Sequence, residues 1–239
     1  MLISVGELIK QGFAFAKENW QKYAVYVLAL LAAAIPYGLF YYLMQYNIVI
    51  FGLLTFIAYI ALLVFSILIS VVILKNTKKL MDKQPIEALG PGLQNAKPLF
   101  WPLVVVGLLT ALIVGVGSII VIPGIIFLVW YAFGQYEVIF ENQRGMAALR
   151  ASKKLVQGRW WAVLWRIIGP MLPLLLVGVG VGIVAGIFGL ISTTLGNLVG
   201  FIINIALVFL LAPYSVFVYM KLYQDLKAKS AGTVTPAAK

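Results

Sequence analysis

Five basic residues and three tryptophans lie between Ala148 and Ile167, with no acidic residue among them. Each lysine or arginine near an anionic surface contributes about 1 kcal/mol to binding, and tryptophan favours the depth of lipid headgroups. The segment therefore predicts contact with anionic headgroups. The residues predicted to make this contact are Arg150, Lys153, Lys154, Arg159, Trp160 and Trp161.

The sequence contains few of the residue types that catalysis usually requires. The chain has no cysteine and no histidine, so it lacks thiol chemistry, the commonest general base and most transition-metal ligands. The long uncharged stretches contain no ionisable pair. We therefore predict no catalytic residue, no cofactor and no metal site, and an intramembrane enzyme is the least favoured hypothesis. Glu137 lies at the end of an apolar stretch and is predicted to be solvated or paired with an arginine.

The composition is that of a membrane protein. Hydrophobic residues make up 63% of the chain and charged residues only 10%, whereas soluble domains have about 45–50% and about 25%. The net charge of +11 is interpreted as an excess of lysine and arginine on the cytoplasmic side, facing anionic lipid, rather than as a signal for nucleic acid. No cleavable signal peptide is predicted.

The positions of the charges predict the topology. All charged residues fall within 1–22, 75–97, 137–166 and 221–239, and the stretches between these segments are uncharged. Each uncharged stretch is too long for one crossing, which needs about 20 residues, and suits a hairpin of two. We predict an all-α polytopic protein with six transmembrane helices and every charged segment on one side. That side is the cytoplasm of the cytoplasmic (inner) membrane, and it includes both termini. The predicted spans are 23–44, 48–74, 99–119, 122–140, 160–190 and 197–221.

A short amphipathic helix is predicted before each hairpin. Ser4 and Glu7 match a capping box at the first of these helices. In the third, Arg150, Lys153, Lys154 and Gln157 share one face, and the opposite face is apolar and is predicted to lie on the membrane interface. A weaker copy precedes the second hairpin. The chain is thus interpreted as one membrane domain, 1–227, with pseudo-repeats 1–74, 75–140 and 141–227, followed by a disordered tail, 228–239.

Small residues recur at a spacing of four in two crossings. This spacing predicts close helix packing in a membrane, and prolines such as Pro170 and Pro213 predict kinks. Asn204 is predicted to hydrogen-bond between helices. The small residues predicted to mediate packing are Gly107, Ala111, Gly115, Gly178, Gly182 and Gly186.

Two motifs resemble a known family. Ala148-Leu149-x-x-Ser152 is followed by Val156-Gln157-Gly158-Arg159-Trp160-Trp161, and Tyr223-Gln224-Asp225-Leu226 follows Pro213 of the last helix. This pattern resembles the membrane domain attached to some glycerophosphoryl diester phosphodiesterases and its stand-alone six-helix relatives. The resemblance implies a six-helix membrane domain. It does not imply phosphodiesterase activity, which belongs to a separate barrel domain with histidine ligands.

Two functional hypotheses follow from these patterns. The first is a non-enzymatic integral membrane protein that serves as an accessory, scaffold or lipid-interacting component. The alternative is a transporter or channel for a lipid or a small uncharged solute, favoured by the repeats and prolines. The predicted partners are anionic membrane lipids. Another membrane protein or a second copy of the chain is a further candidate, and no nucleic acid is expected.

Overall fold

The structure, a computed structural model, describes residues 2–232, with side chains for 2–230, and this part of the chain is helical without a strand. A 3-10 turn, Lys97–Leu99, leads into the fourth helix. The helices are α1 (Val5–Leu43), α2 (Ile48–Met81), α3 (Leu89–Ala96), α4 (Phe100–Gly117), α5 (Val121–Tyr131), α6 (Gly134–Glu141), α7 (Gly145–Val156), α8 (Trp160–Ile168), α9 (Met171–Ile191) and α10 (Thr193–Gly232).

The described residues contain six helical spans that are long and apolar enough to cross a membrane. The protein is therefore an all-α polytopic membrane protein, as the distribution of charges predicts. Three of the spans comprise more than one helix: α3, the 3-10 turn and α4 form the third, α5 and α6 form the fourth, and α8 and α9 form the fifth. The spans are Val5–Leu43, Ile48–Met81, Leu89–Gly117, Val121–Glu141, Trp160–Ile191 and Thr193–Ser230.

The first amphipathic segment is not a separate helix. Ser4 caps α1, and its side chain accepts a hydrogen bond from the Glu7 backbone N–H, so the predicted helix start is confirmed. However, α1 then continues without a break for 39 residues. Its length of about 58 Å exceeds the roughly 30 Å hydrocarbon core. The expectation of a distinct interfacial helix before the first crossing is wrong, because no residue interrupts the helical hydrogen bonds there.

The core of the protein lies at the charged ends of the helices. Along α1 the buried side chains fall between Leu8 and Val27, whereas α9 has no buried residue. Tyr23 of α1 hydrogen-bonds Thr77 of α2, and the Tyr26 hydroxyl accepts from the amide of Asn76 at 2.6 Å. The opposite halves of the helices expose large apolar side chains, as suits contact with lipid. The bundle is therefore tightly packed on one side and loosely packed on the other.

Glycine packing occurs at positions other than those predicted. A Cβ built at Gly12 would lie 2.8 Å from Tyr214 of α10, and one at Gly92 would lie 2.8 Å from Val72. These glycines mediate close helix contacts. By contrast, a Cβ at any glycine of the predicted set meets no atom within 4 Å, and Ala111 is exposed; the glycines concerned are Gly107, Gly115, Gly178, Gly182 and Gly186. Close approach at these glycines is absent within the described residues, and Gly107 and Ala111 line a cavity between helices instead. Their role in helix packing stays a prediction.

The α9–α10 hairpin is tighter than its sequence suggests. The turn between the predicted spans 160–190 and 197–221 is reduced to Ser192, since α10 already begins at Thr193. A Cβ at Gly196 would lie 2.7 Å from the Cα of Gly189, so only glycine allows the two helices to meet at this point. Asn204 donates to the Gly200 carbonyl of its own helix at 2.8 Å. The predicted hydrogen bond from Asn204 to another helix is therefore wrong.

Candidate functional site

Helix α7 separates its charged residues from its buried ones. Arg150 and Lys154 are exposed and Lys153 is partly exposed, as the predicted basic face requires. The opposite face packs against α4, α5, α6 and α10 rather than on lipid. The prediction that this face lies on the membrane interface is wrong, because neighbouring helices cover it. Its buried residues are Ala148, Leu149, Ser152, Leu155 and Val156.

Ser152 explains why α7 packs at this position. The interruption between α5 and α6 leaves backbone groups without helical partners. The Ser152 hydroxyl donates to the Trp130 carbonyl at 2.7 Å and accepts from the Phe133 backbone N–H at 3.1 Å. Beside it, Leu149 lies so close that a Cβ at Gly134 would be 3.1 Å from its side chain. The motif residues of α7 thus stabilise a broken membrane helix.

An apolar groove lies between α5 and α8. Its volume is about 690 Å³, within the roughly 300–1,000 Å³ usual for ligand sites. The Trp160 indole N–H donates to the Ile126 carbonyl at 3.4 Å, and the rings of Trp160 and Trp161 meet edge to face. Trp161 is 77% exposed. The groove is lined mainly by Ile122, Ile125, Ile126, Trp130, Trp160 and Trp161.

Cationic groups lie beside this groove. The Lys153 ammonium is 4.0 Å from the centroid of the Trp130 ring, which lines the groove. Arg159 directly precedes Trp160, and its guanidinium donates to the Ser230 hydroxyl at 3.4 Å. Lys154 extends into solvent on the same helix as Lys153. The arrangement combines an apolar groove with positive charge at its edge, which is the chemistry that complements an amphiphile with an anionic headgroup.

Arg166, the fifth basic residue of the segment, has a different position. Its guanidinium donates to the Ile3 carbonyl at 2.6 Å and to the Leu2 carbonyl at 3.2 Å. The Ile3 backbone N–H in turn donates to Asp225 of α10 at 2.8 Å. Arg166 and Asp225 therefore fix the N-terminal segment between α8 and α10, and Arg166 is not part of the groove.

Glu137 is buried, and its partner is a lysine. Only 1% of this residue is exposed. The Lys227 ammonium lies 3.1 Å from one carboxylate oxygen, and the Tyr223 hydroxyl donates to the same oxygen at 3.2 Å. The expectation that Glu137 is solvated or paired with an arginine is wrong, because α10 covers the end of α6. The ion pair joins two helices that are far apart in sequence.

Both sequence motifs have structural roles in the packed half of the bundle. Ser152 bridges the interrupted helix, Tyr223 and Asp225 bond to α6 and the N-terminal segment, and Leu226 is fully buried. No family model, curated protein or solved structure matches the chain. The resemblance to the membrane domain of glycerophosphoryl diester phosphodiesterases therefore stays a prediction, as do the internal repeat and its boundaries. Residues 233–239 of the predicted tail lie outside the described residues, and the beginning of that tail, 228–232, continues α10 as a helix.

Sequence reasoning did not identify two groups of polar residues. Asn76 and Thr77 are buried against Tyr26 and Tyr23, and the signal for them was an Asn-Thr pair at the end of a long apolar run. Gln135 lies just after the break between α5 and α6. Gly134 is a weak local marker of that break, and no proline or charge precedes it closely. In the described part of the chain, no group of three potential metal-ligating residues occurs.

Proposed function

We propose that the protein is a non-enzymatic, lipid-interacting component of the cytoplasmic membrane that binds an anionic phospholipid between α5 and α8. The observation that supports this most strongly is the placement of Lys153 against Trp130 at the edge of an apolar groove. The groove would take an acyl chain, and Lys153, Lys154 and Arg159 would take the phosphate. Arg150, on the same face of α7, would add to the surface charge.

The orientation of the protein is part of the same proposal. The charged side of the bundle carries α7 and both ends of the chain, and the excess of lysine and arginine favours the cytoplasm for it. Anionic lipids of the cytoplasmic leaflet would then lie next to the groove. The exposed glycine face of α9 remains a candidate for contact with another membrane protein or a second copy of the chain.

Native mass spectrometry in an uncharged detergent tests the lipid site directly, because a micelle of this kind has no surface potential. Phosphatidylglycerol is compared with phosphatidylcholine on the full chain. Replacing Lys153, Lys154 and Arg159 with glutamine should weaken phosphatidylglycerol binding about tenfold or more, since each cation contributes about 1 kcal/mol. Phosphatidylcholine binding should change much less.

The matched control removes the same number of positive charges elsewhere on the charged side. Lys10, Lys83 and Lys97 are all exposed, and their replacement with glutamine should leave phosphatidylglycerol binding within about twofold of the unmodified chain. Equal losses in the two triple variants would indicate a general charge effect and would remove the proposed site.

A second candidate function is transport of a lipid or a small uncharged solute. The interruption between α5 and α6 favours it, because non-helical backbone at membrane depth is tolerated where it is covered by protein or lines a cavity. Reconstituted flux and lipid-scrambling assays test it. Rates equal to those of protein-free liposomes for lipids and uncharged solutes would remove this candidate.

A further inference from the structure

A second cavity lies inside the bundle, and it is separate from the groove. Its volume is about 570 Å³, and its walls come from α2, α4, α5, α6, α8 and α10. It is not sealed from the outside of the protein, and it shares no lining residue with the groove between α5 and α8. A smaller cavity of about 300 Å³ continues from it between α2 and α10 and shares Ser70, Ala132, Gln135 and Tyr219 with it.

Three polar side chains that line this cavity have hydrogen-bonding capacity that the described residues do not use. Gln135, the second residue of α6, is exposed and lines the cavity, and Tyr131 of α5 and Tyr219 of α10 line the same space. None of these three side chains makes a hydrogen bond within residues 2–230. The hydroxyls of Ser70 and Thr110 differ, since each donates to a carbonyl of its own helix, at 2.7 and 2.8 Å. All three are thus donors available to a ligand, and Gln135 and Tyr219 are the two that line both cavities.

The remaining lining excludes a charged ligand. No lysine, arginine, aspartate or glutamate lines either cavity. Glu137, the nearest carboxylate along α6, is buried and paired with Lys227. A phosphate or carboxylate in this space would be desolvated without a counter-charge, which is strongly unfavourable. The ligand must therefore be neutral, mostly apolar and able to accept hydrogen bonds.

The position of Gln135 along the span narrows the chemical class of the ligand further. It precedes Glu141, at the charged end of the span, by about 9 Å of helix rise. If Glu141 lies among the headgroups, the amide lies near the edge of the hydrocarbon core, which is the level of the ester carbonyls of a diacyl lipid. The apolar walls formed by α4 and α5 then extend along the direction of the acyl chains.

We infer that the cavity between α2, α4, α5–α6 and α10 binds an uncharged diacyl lipid of the diacylglycerol class, with Gln135 and Tyr219 donating hydrogen bonds to its ester carbonyls. The inference goes beyond binding of an anionic phospholipid at α7 and α8, and either site can fail without affecting the other. The interrupted helix has a clear role in this arrangement, because the break turns a glutamine into the cavity while Ser152 satisfies the backbone from the opposite side.

Photoaffinity labelling of the full chain tests this inference. The probe is dioleoylglycerol with a diazirine in one acyl chain, incorporated in nanodiscs of phosphatidylcholine, and adducts are located by peptide mass spectrometry. We expect labelling within Leu103–Val114 of α4 that excess unlabelled dioleoylglycerol suppresses. Labelling of α9, which has no buried residue, should not be suppressed, because it reports ordinary contact with bilayer lipid.

Two comparisons assign the hydrogen bonds. The dialkyl ether analogue has the same chains and hydroxyl group but no ester carbonyl, and it should require about threefold to tenfold more competitor for equal suppression. This comparison uses the unmodified chain, so folding of a variant does not enter. Gln135→Leu should reduce the suppressible labelling of α4 by a similar factor, and Tyr219→Phe should also reduce it. Gln143→Leu, at an exposed loop position, should have no effect.

Three results would overturn the inference. One is labelling of α4 that excess dioleoylglycerol does not suppress. Another is equal competition by the ether analogue, which would remove the role of the carbonyls. The third is suppression by phosphatidylglycerol as strong as that by dioleoylglycerol, which would contradict the exclusion of charged ligands.

Discussion

The Tyr223 hydroxyl donates to the Glu137 carboxylate at 3.2 Å and thereby joins α10 to α6. Lys227, one turn further along α10, completes the site with an ion pair to the same carboxylate. A carboxylate in a buried position needs both a counter-charge and hydrogen bonds. The pair lies where the interrupted fourth span ends, so it holds α6 in place independently of α5.

Replacing Lys227 should show how strongly the buried charge of Glu137 destabilises the folded protein when it has no counter-charge. Lys227→Met leaves the Glu137 carboxylate without a counter-charge, and we expect a loss of about 3 kcal/mol in the free energy of unfolding. The double variant Glu137→Gln/Lys227→Met should recover much of it. Unfolding in detergent, followed by circular dichroism, measures both. Lys154→Met, at an exposed position, serves as the control and should change stability by less than about 0.5 kcal/mol. An equal loss in the single and double variants would show that packing, rather than charge, causes the effect.

Ser152 offers a test of how the broken helix is stabilised. Ser152→Ala removes hydrogen bonds to both Trp130 and Phe133 and leaves buried backbone groups unpaired. We expect a loss of about 1–3 kcal/mol and faster hydrogen exchange at the α5–α6 junction. Ser66→Ala is the matched control, because the Ser66 hydroxyl donates only to the Leu63 carbonyl of its own helix. Similar stability and exchange in the two variants would remove the bridging role of Ser152.

Two glycine-to-alanine substitutions distinguish a glycine that packs against another helix from one that only recurs at a spacing of four. Gly12→Ala places a methyl group against Tyr214 of α10, and we expect a loss of about 1–3 kcal/mol from overpacking. Gly186→Ala places the same methyl group in open space, where alanine favours the helix by about 0.5–1 kcal/mol. Unfolding in detergent should therefore shift in opposite directions. A loss at Gly186 as large as that at Gly12 would indicate a helix contact that a single chain does not contain.

Some parts of the structure could be predicted from the sequence, and the contact at Gly12 is an example of a part that could not. The membrane spans follow from a strong one-dimensional effect, since burial of charge in lipid is costly wherever it occurs. The cap at Ser4 and the two faces of α7 depend on neighbours within a few residues, and they too were predictable. Contact at Gly12 depends on Tyr214, and the ion pair of Glu137 depends on Lys227. Such partners lie far away in sequence, and local spacing contains no information about them.

The candidate site likewise has features that the sequence predicts and features that only the tertiary structure reveals. The basic face of α7 and the tryptophans of α8 were visible as residue types at close spacing. The groove itself requires α5 to lie against α8, and the inner cavity requires the break after Tyr131. Gly134 marks that break only weakly, and the residue that stabilises the break, Ser152, belongs to another helix.

The pairing of Glu87 with Lys79 predicts a dependence of stability on pH. The Lys79 ammonium lies 2.8 Å from the Glu87 carboxylate, and Asn95 donates to the other oxygen at 3.2 Å. The hydrogen bond from Lys79, followed by that from Asn95, lowers the pKa of Glu87 below its ordinary value of 4.5. Ionised Glu87 therefore stabilises the folded state above about pH 4.5, and this contribution is lost as the pH falls through the lower, folded-state pKa.

A difference measurement isolates this group from the other carboxylates. Unfolding midpoints of the unmodified chain and of Glu87→Gln are compared between about pH 3 and 6. The difference in unfolding midpoint between the two proteins, the gap, should disappear as the pH falls below 4.5. Lys79→Met should reduce the gap in the same window, because it removes the main cause of the lowered pKa. A gap that is constant with pH would mean that the charge on Glu87 does not contribute.

Single cysteines test the topology. The chain has no cysteine of its own, so each variant has one thiol. Tyr46 and Ser192 lie in the turns of the first and third hairpins, whereas Lys83 and Gln143 lie beside charged segments. A membrane-impermeant maleimide added to intact cells should label Tyr46→Cys and Ser192→Cys, and it should label Lys83→Cys and Gln143→Cys only after the membrane is opened.

The reason is that moving a lysine- and arginine-rich segment through the hydrocarbon core costs about 2.5–3.5 kcal/mol for each charge, so each uncharged stretch crosses and returns. Labelling of Tyr46→Cys and Lys83→Cys from the same side would contradict the hairpin arrangement, and with it the position of the groove and the inner cavity relative to the two leaflets.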